Sequence, residues 1–378
     1  MSDPSLADIP APGSQPFGRS PLGRSPLGRP PARRACAWAA LLSLLLLPLA
    51  PLPAHARELT LAVHSPEQLK AVQQVFVAPF KAATGIPVLA QVWPGGAAAL
   101  HTGLAGKDPA WDLIEVDQRE LAAGCAGGLF AKLDPNQIGG AAHYLPLALS
   151  PCGVGATVDN TVLAWDHDKF PGKPGWAEFW DVAKFPGKRG LRQGVRGTLE
   201  IALMADGVAP SDVYKVLSTP DGVNRAFRKL DQLRPYIVWW KTPAEAAKIL
   251  ATGGVLMTSA PSSAIVQAAR AAHRDFGIRW AESLYAVQSW AIARTSANQS
   301  TALQFLYFAG TPAIQARLVT EFAEGGLAAE ANDGLPAEMA AISPTSAAHL
   351  KGALRIDAGF WQANLDKLRQ RFNAWLAH

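Results

Sequence analysis

The sequence is poor in the side chains that carry most covalent and metal chemistry. Its 378 residues include 3 cysteines and 8 histidines, and the histidines show no metal-ligand spacing. No Gly-x-Ser-x-Gly nucleophile elbow, His-Glu-x-x-His zinc helix or Gly-x-x-x-x-Gly-Lys-Ser/Thr phosphate loop occurs, which argues against several common hydrolase, zinc-enzyme and nucleotide-hydrolysing classes. A long apolar run is missing too. The longest, Ala35 to Leu47, ends at Pro48 and falls short of the roughly 18 to 20 residues that a spanning helix needs.

That run is read as part of an export signal. Upstream, the repeated Gly-Arg-Ser-Pro-Leu theme at Gly18–Leu22 and Gly23–Leu27 has the composition of an unstructured leader. Arg33 and Arg34 precede the apolar core, and Ala54-His55-Ala56 follows it, the order of a secretory signal peptide cut near Ala56. Residues 1–56 are therefore expected to be leader and signal peptide, with Cys36 discarded among them. Their five arginines and two aspartates leave 30 basic and 28 acidic residues in 57–378. A near-neutral chain gives no reason to expect nucleic acid as a partner. Cys125 and Cys152 remain, and an oxidising compartment favours their pairing as a structural disulfide.

What is present reads as alternating strand and helix. Leu59–Val63 is an apolar strand. Ser65, Pro66 and Gln68 then supply an N-cap, a first helical turn and a capping partner. The helix buries Leu69, Val72, Val75, Phe76 and Phe80 on one face and stops at Gly85. A strand at 86–92, a short helix through Leu100 and Leu104, a strand at 112–116 and a helix from about Gln118 follow. This order predicts a parallel sheet covered by helices, with ligands at the carboxyl ends of the strands. His64, Ser65, Glu115 and Asp117 are the candidates there. Glu115 and Asp117 share one side of a strand end, which suits a cation; Asp117 is equally the natural N-cap of the next helix.

Between Val154 and Asp166 two apolar runs flank Asp159-Asn160, a crossing to a second unit. Further strands are expected at 237–240, 255–258 and 285–292, and helices around 199–204, 244–250 and 265–272. A terminal amphipathic helix carries Phe360, Leu365, Leu368, Phe372, Trp375 and Leu376 on one face. Trp176, Trp180 and Trp375 read as core, and at most one of Trp239 and Trp240 faces a cleft.

The order of segments resembles the periplasmic solute-binding proteins of ABC transporters, specifically the spermidine/putrescine type. The resemblance spans 57–378. It rests on Pro79-Phe80 with Thr84–Val88, on Trp111–Val116, on Gly127–Asp134, on Cys152 through Asp166, and on Phe179–Val182, Lys184–Arg189, Leu199-Glu200, Met257–Ala260 and Phe360–Gln362. It implies an α/β fold of two hinge-linked lobes (type II), with lobe 1 made of 57–161 and 288–335 and lobe 2 of 162–287 and 336–378. It further implies a monomer that needs no cofactor, performs no covalent chemistry, closes its cleft on a polyamine-like solute and delivers it to an inner-membrane permease. The expected ligand residues are His64, Ser65, Glu115, Asp117, Glu200, Ser259, Gln288, Trp361 and Gln362. The second-lobe carboxylates of polyamine binders fall near Gly194 and Gly197, and another acidic position falls near Gln288, where this chain has none. A small anion, a carboxylate or an iron complex is the alternative cargo on the same fold. The five tyrosines, at 144, 214, 236, 285 and 307, are never adjacent, which weakens a ferric site of the paired-tyrosine kind. From another class, a secreted hydrolase would use Glu115 or Asp117.

Overall fold

A computed structural model of the protein describes residues 58–377. The expected signal peptide, its cleavage near Ala56 and Cys36 lie outside the described residues. No described helix is long and apolar enough to cross a membrane.

The strands, in chain order, are β1 (Leu59–Val63), β2 (Val88–Val92), β3 (Leu113–Val116), β4 (Leu149–Ser150), β5 (Gly153–Asp166), β6 (Arg189–Arg192), β7 (Ile237–Trp240), β8 (Met257–Ala260), β9 (Phe276–Ile292) and β10 (Leu354–Arg355). They join one mixed sheet in the order β2-β1-β3-β9-β5-β8-β6-β7, with β10 on β9 and β4 on β5. The opening β1, β2 and β3 pair in parallel, as crossover helices require. Ser65 caps the first of these helices, accepting from the Gln68 amide at 3.1 Å.

Two features depart from the sequence expectations. The runs on either side of Asp159-Asn160 are one unbroken strand of 14 residues, and the strand expected at 285–292 begins nine residues earlier and spans 17. Both are long for the same reason. β5 and β9 run antiparallel through the middle of the sheet and serve both halves of it, so each must bury two separate stretches. The polar residues between those stretches mark the change of half and do not end the strands.

The cores divide at the same place. On one side Leu61, Val63, Phe76, Phe80, Trp290 and Phe305 pack together. On the other, Trp176, Phe179, Leu199, Leu203, Leu230, Trp361 and Phe372 do so. The terminal helix Ala358–Ala377 belongs to the second cluster, as its apolar face predicts; Trp361, Leu368 and Phe372 are buried. Trp240 is buried and Trp239 meets the Phe372 ring at 5.7 Å, so both tryptophans pack within this half.

Where the two strands pass from one core to the other their register breaks. On β5 the shift lies between Thr161 and Leu163, and across it the partner on β9 jumps from Leu284 to Arg279. Glu282, inside the skipped stretch, adopts φ +61°, a left-handed conformation unusual for a residue with a Cβ. Trp176 holds it there, donating from Nε1 to the Glu282 carbonyl at 3.0 Å, and the Glu282 amide donates to the Gly352 carbonyl at 3.2 Å.

Cys125 and Cys152 form a disulfide with their Cα atoms 5.8 Å apart. It ties the helix Gln118–Ala126 to the start of β5. Closing a loop of this separation restricts the unfolded chain by roughly 3 to 4 kcal/mol. The Cys125→Ser/Cys152→Ser double variant is expected to lose stability of that order in denaturant titration, and wild-type protein in reductant is expected to match it.

Candidate functional site

The carboxyl ends of β1 and β3 meet the second half of the molecule, and the residues there form one connected polar network. Asp117 directly follows β3 and caps the helix Gln118–Ala126. Its side chain accepts from the Arg119 and Glu120 amides at 2.8 and 2.9 Å, and Glu120 Oε2 accepts from the Asp117 amide at 2.9 Å, completing a reciprocal capping box. Glu120 does more than cap. The same Oε2 lies 2.9 Å from His64 Nε2, and Oε1 accepts from the Gly96 amide at 2.7 Å. His64 also packs on the Trp93 ring at 5.0 Å. Gly96, with φ +91°, offers its amide from a conformation that suits glycine.

These contacts set the ionisation of both groups. Burial alone would depress His64, but the hydrogen bond and charge of Glu120, with Glu115 and Asp117 behind, hold it above its ordinary value. Burial alone would raise Asp117. The Glu120 amide, Arg119 and Arg196 outweigh it and hold Asp117 low.

Arg119 Nη2 lies 2.9 Å from Asp117. Arg196 Nη1 reaches the same carboxylate at 3.7 Å from the second half of the protein. Around this cross-half pair runs a narrow crevice lined by Asp117, Gln118 and Arg119 on one side and by Arg196, Ala286, Ile356, Ala358 and Trp361 on the other. The second side owes its shape to the corner after β6. Arg196 and Gly197 leave the helical conformation, Gly197 at φ +86°, before the helix Val195–Ala205 continues. Arg192 sits at the end of β6; desolvation, then Arg196, lower its pKa, and Asp159 opposes them.

Next to this lies a cluster of carboxylates, in which Asp159 is exposed. Glu115 is fully buried on β3. Its Oε1 accepts from Gln68 Nε2 at 2.8 Å and from Thr157 Oγ1 at 3.3 Å, while its Oε2 has no partner. Thr157 lies opposite Gln288 across the β5–β9 ladder, and Gln288 Nε2 donates to Asp159. The Gln288 Oε1 is likewise buried without a partner. Burial first, then the charges of Asp159 and Glu324, push Glu115 up to about 8 against the opposing pull of His64. Burial and Asp159 push Glu324 up to about 7.

The structure thus brings His64, Glu115, Asp117 and Gln288 to one region, with Ser65 next to it as a helix cap. The remaining candidates have other surroundings. Glu200 is fully buried and accepts from Tyr214 Oη, Trp361 Nε1 and the Gly197 amide, each at 2.8 Å. Burial nonetheless pushes its pKa up. It is the bracket that fixes the corner carrying Arg196 to the terminal helix. Trp361, fully buried as a core side chain, borders the crevice. Ser259 is buried on β8 with an unpartnered Oγ. Gln362 is exposed on the terminal helix, because one residue turns about 100° from buried Trp361.

Sequence reasoning missed Arg119, Glu120, Arg192, Arg196, Asp159 and Glu324. Asp159 had a signal, a carboxylate interrupting an apolar strand. Glu120 had half of one, at the third helical position after an N-cap Asp. Its contacts with His64 and Gly96 span 56 and 24 positions and left no local trace.

A mixed α/β sheet with long shared strands and a polar crevice between its halves is the architecture of periplasmic binding proteins. The comparisons agree: the sequence matches the bacterial extracellular solute-binding protein family over residues 76–342, and the chain belongs to that family. A gamma-aminobutyric acid-binding protein of Pseudomonas aeruginosa is 39% identical over 325 residues, which cover 86% of this chain and 92% of that one. An ABC transporter substrate-binding protein of Bradyrhizobium japonicum superposes with a TM-score of 0.74 at 29% identity, covering 84% of this chain and 99% of that one. A GABA receptor structure gives a TM-score of 0.74 at 25% identity and covers 84% and 97%. The protein is therefore the substrate-binding component of an ABC importer, working with a permease, and not an enzyme. Membership also implies a periplasmic location.

Glu200 gives a direct check on the site's scaffold. Glu200→Ala leaves three donors unpaired, at about 1 to 3 kcal/mol each. A loss of at least about 3 kcal/mol in denaturant titration is expected, with Glu200→Gln milder because one acceptor oxygen remains.

Proposed function

We propose that the solute is a small molecule with an ammonium group at one end and a carboxylate at the other, the class to which GABA belongs, and that the two halves close on it. The observation that carries this reading is the separation of charge in the cleft. Arg119 and Arg196 outnumber Asp117 at the crevice, with Arg192 near Arg196, while Glu115, Asp159 and Glu324 interact along β3, β5 and the turn after Phe322. An arginine pairs with a carboxylate through two parallel hydrogen bonds, and a carboxylate cluster takes an ammonium. The identity with the Pseudomonas protein supports the same class.

Putrescine and spermidine, the expectation from sequence, fit less well. Their second ammonium would lie near Arg192 and Arg196, where Gly194 and Gly197 offer no carboxylate. Closure would pivot where β5 and β9 lose register, with lobes of 57–161 plus 288–335 and 162–287 plus 336–378. Solute touching both lobes would shift the open–closed population toward the closed form that the permease accepts. The chain would act as a monomer in the periplasm after loss of its leader near Ala56.

The test is thermal unfolding of the purified protein with GABA, putrescine and spermidine. GABA at 100 times its dissociation constant should add about 2.7 kcal/mol, and the polyamines should add little. A shift with putrescine and none with GABA would return the polyamine reading. Arg196→Gln should weaken GABA binding about 10- to 100-fold, the loss of a charge-assisted hydrogen bond.

A further inference from the structure

We propose that Glu115, Asp159 and Glu324 form the subsite for the solute's ammonium group, and that the empty subsite holds a proton which leaves when the ammonium enters. The inference rests on the amine-and-carboxylate reading above and adds a proton to its binding equilibrium.

Glu115 has no solvent exposure, and its Oε2 meets no donor. Beside it, Thr157 donates to Glu115, Gln288 lies opposite Thr157 across the β5–β9 ladder and donates to Asp159, and the Gln288 carbonyl oxygen is also buried and unpartnered. Two buried acceptors without donors, beside carboxylates whose charges repel one another, are what a donor-rich cation completes. An ammonium group brings three donors and no acceptor.

The charge of Asp159 acts against ionisation of both Glu115 and Glu324. Of the groups facing them, His64 on the β1 end is already paired with Glu120. Asp117 is matched by Arg119 and Arg196. Arg192, from the β6 end, offers Asp159 only a distant attraction. The remaining mutual repulsion and the desolvation of Glu115 favour the carboxylic acid. Burial accordingly pushes Glu115 to about 8 and Glu324 to about 7. An arriving ammonium supplies the missing positive charge. The carboxyl O–H bond then breaks, the electron pair stays on the carboxylate, and the proton passes to buffer.

The sign follows. Below the empty-state pKa of about 8, each GABA bound releases up to about one proton, so affinity rises with pH, by at most about tenfold per unit, and levels off above it. Isothermal titration of GABA into the protein at pH 7, in phosphate and in Tris, reads the proton number from the difference in heats. The expected result is release of about half to one proton per GABA in wild type. Release should fall toward zero in Glu115→Gln, whose amide mimics the protonated acid. Glu324→Gln, on a different element, is the second variant and should also reduce release. GABA binding with identical heats in both buffers overturns the proton coupling and leaves the ligand reading intact. No binding of GABA by a folded protein overturns both.

Discussion

The antiparallel pairing of β5 with β9 is the constraint on which the structure depends, because these are the strands that both cores share. Its register carries Thr157 opposite Gln288 and Asp159 opposite Ala286. That places a carboxylate and an amide on the strands that the two apolar cores share. Strand alternation then does the sorting: within β5, Val158 and Val162 face packed interior, while Asp159 is left open. The register shift between Thr161 and Leu163, opposite Glu282, borders Leu163 and Leu284 of the second core, and another shift lies between Gly155 and Thr157.

Polar satisfaction explains how the two sides of the cleft are held. Glu120 serves as helix cap, acceptor for Gly96 and partner for His64. Glu200 gathers three donors around the corner behind Arg196. Both carboxylates spend their acceptors on scaffold. Glu115 and Gln288 differ, since each keeps an oxygen unpaired. A buried acceptor without a donor costs about 1 to 3 kcal/mol, which is a poor arrangement for stability and a good one for a site that a ligand completes.

Much of the fold was legible in the sequence where signals are local. Ser65-Pro66 with Gln68 announces a helix start, and the apolar face of the terminal helix announces its packing. The parallel opening of β1, β2 and β3 follows from strand–helix alternation. The length of β9 was not legible, because Arg279, Trp280 and Glu282 interrupt its apolar pattern where it leaves one core for the other. The site was legible in part: His64, Glu115, Asp117 and Gln288 converge, yet Arg196 reads as an ordinary charge between two glycines. Only the folded chain brings it within 3.7 Å of Asp117. Glu200, expected among the ligand residues, serves as a buried bracket, a role set by Trp361, 161 positions away.

The central claim is that one end of the cleft reads a carboxylate and the other an ammonium, with both halves touching one solute. A crystal structure of the protein grown with GABA tests it most directly. The account predicts electron density between the halves, with the carboxylate at Arg192 and Arg196 and the ammonium at Asp159 and Glu115. GABA bound in the reverse orientation, or held by one half alone, would contradict it.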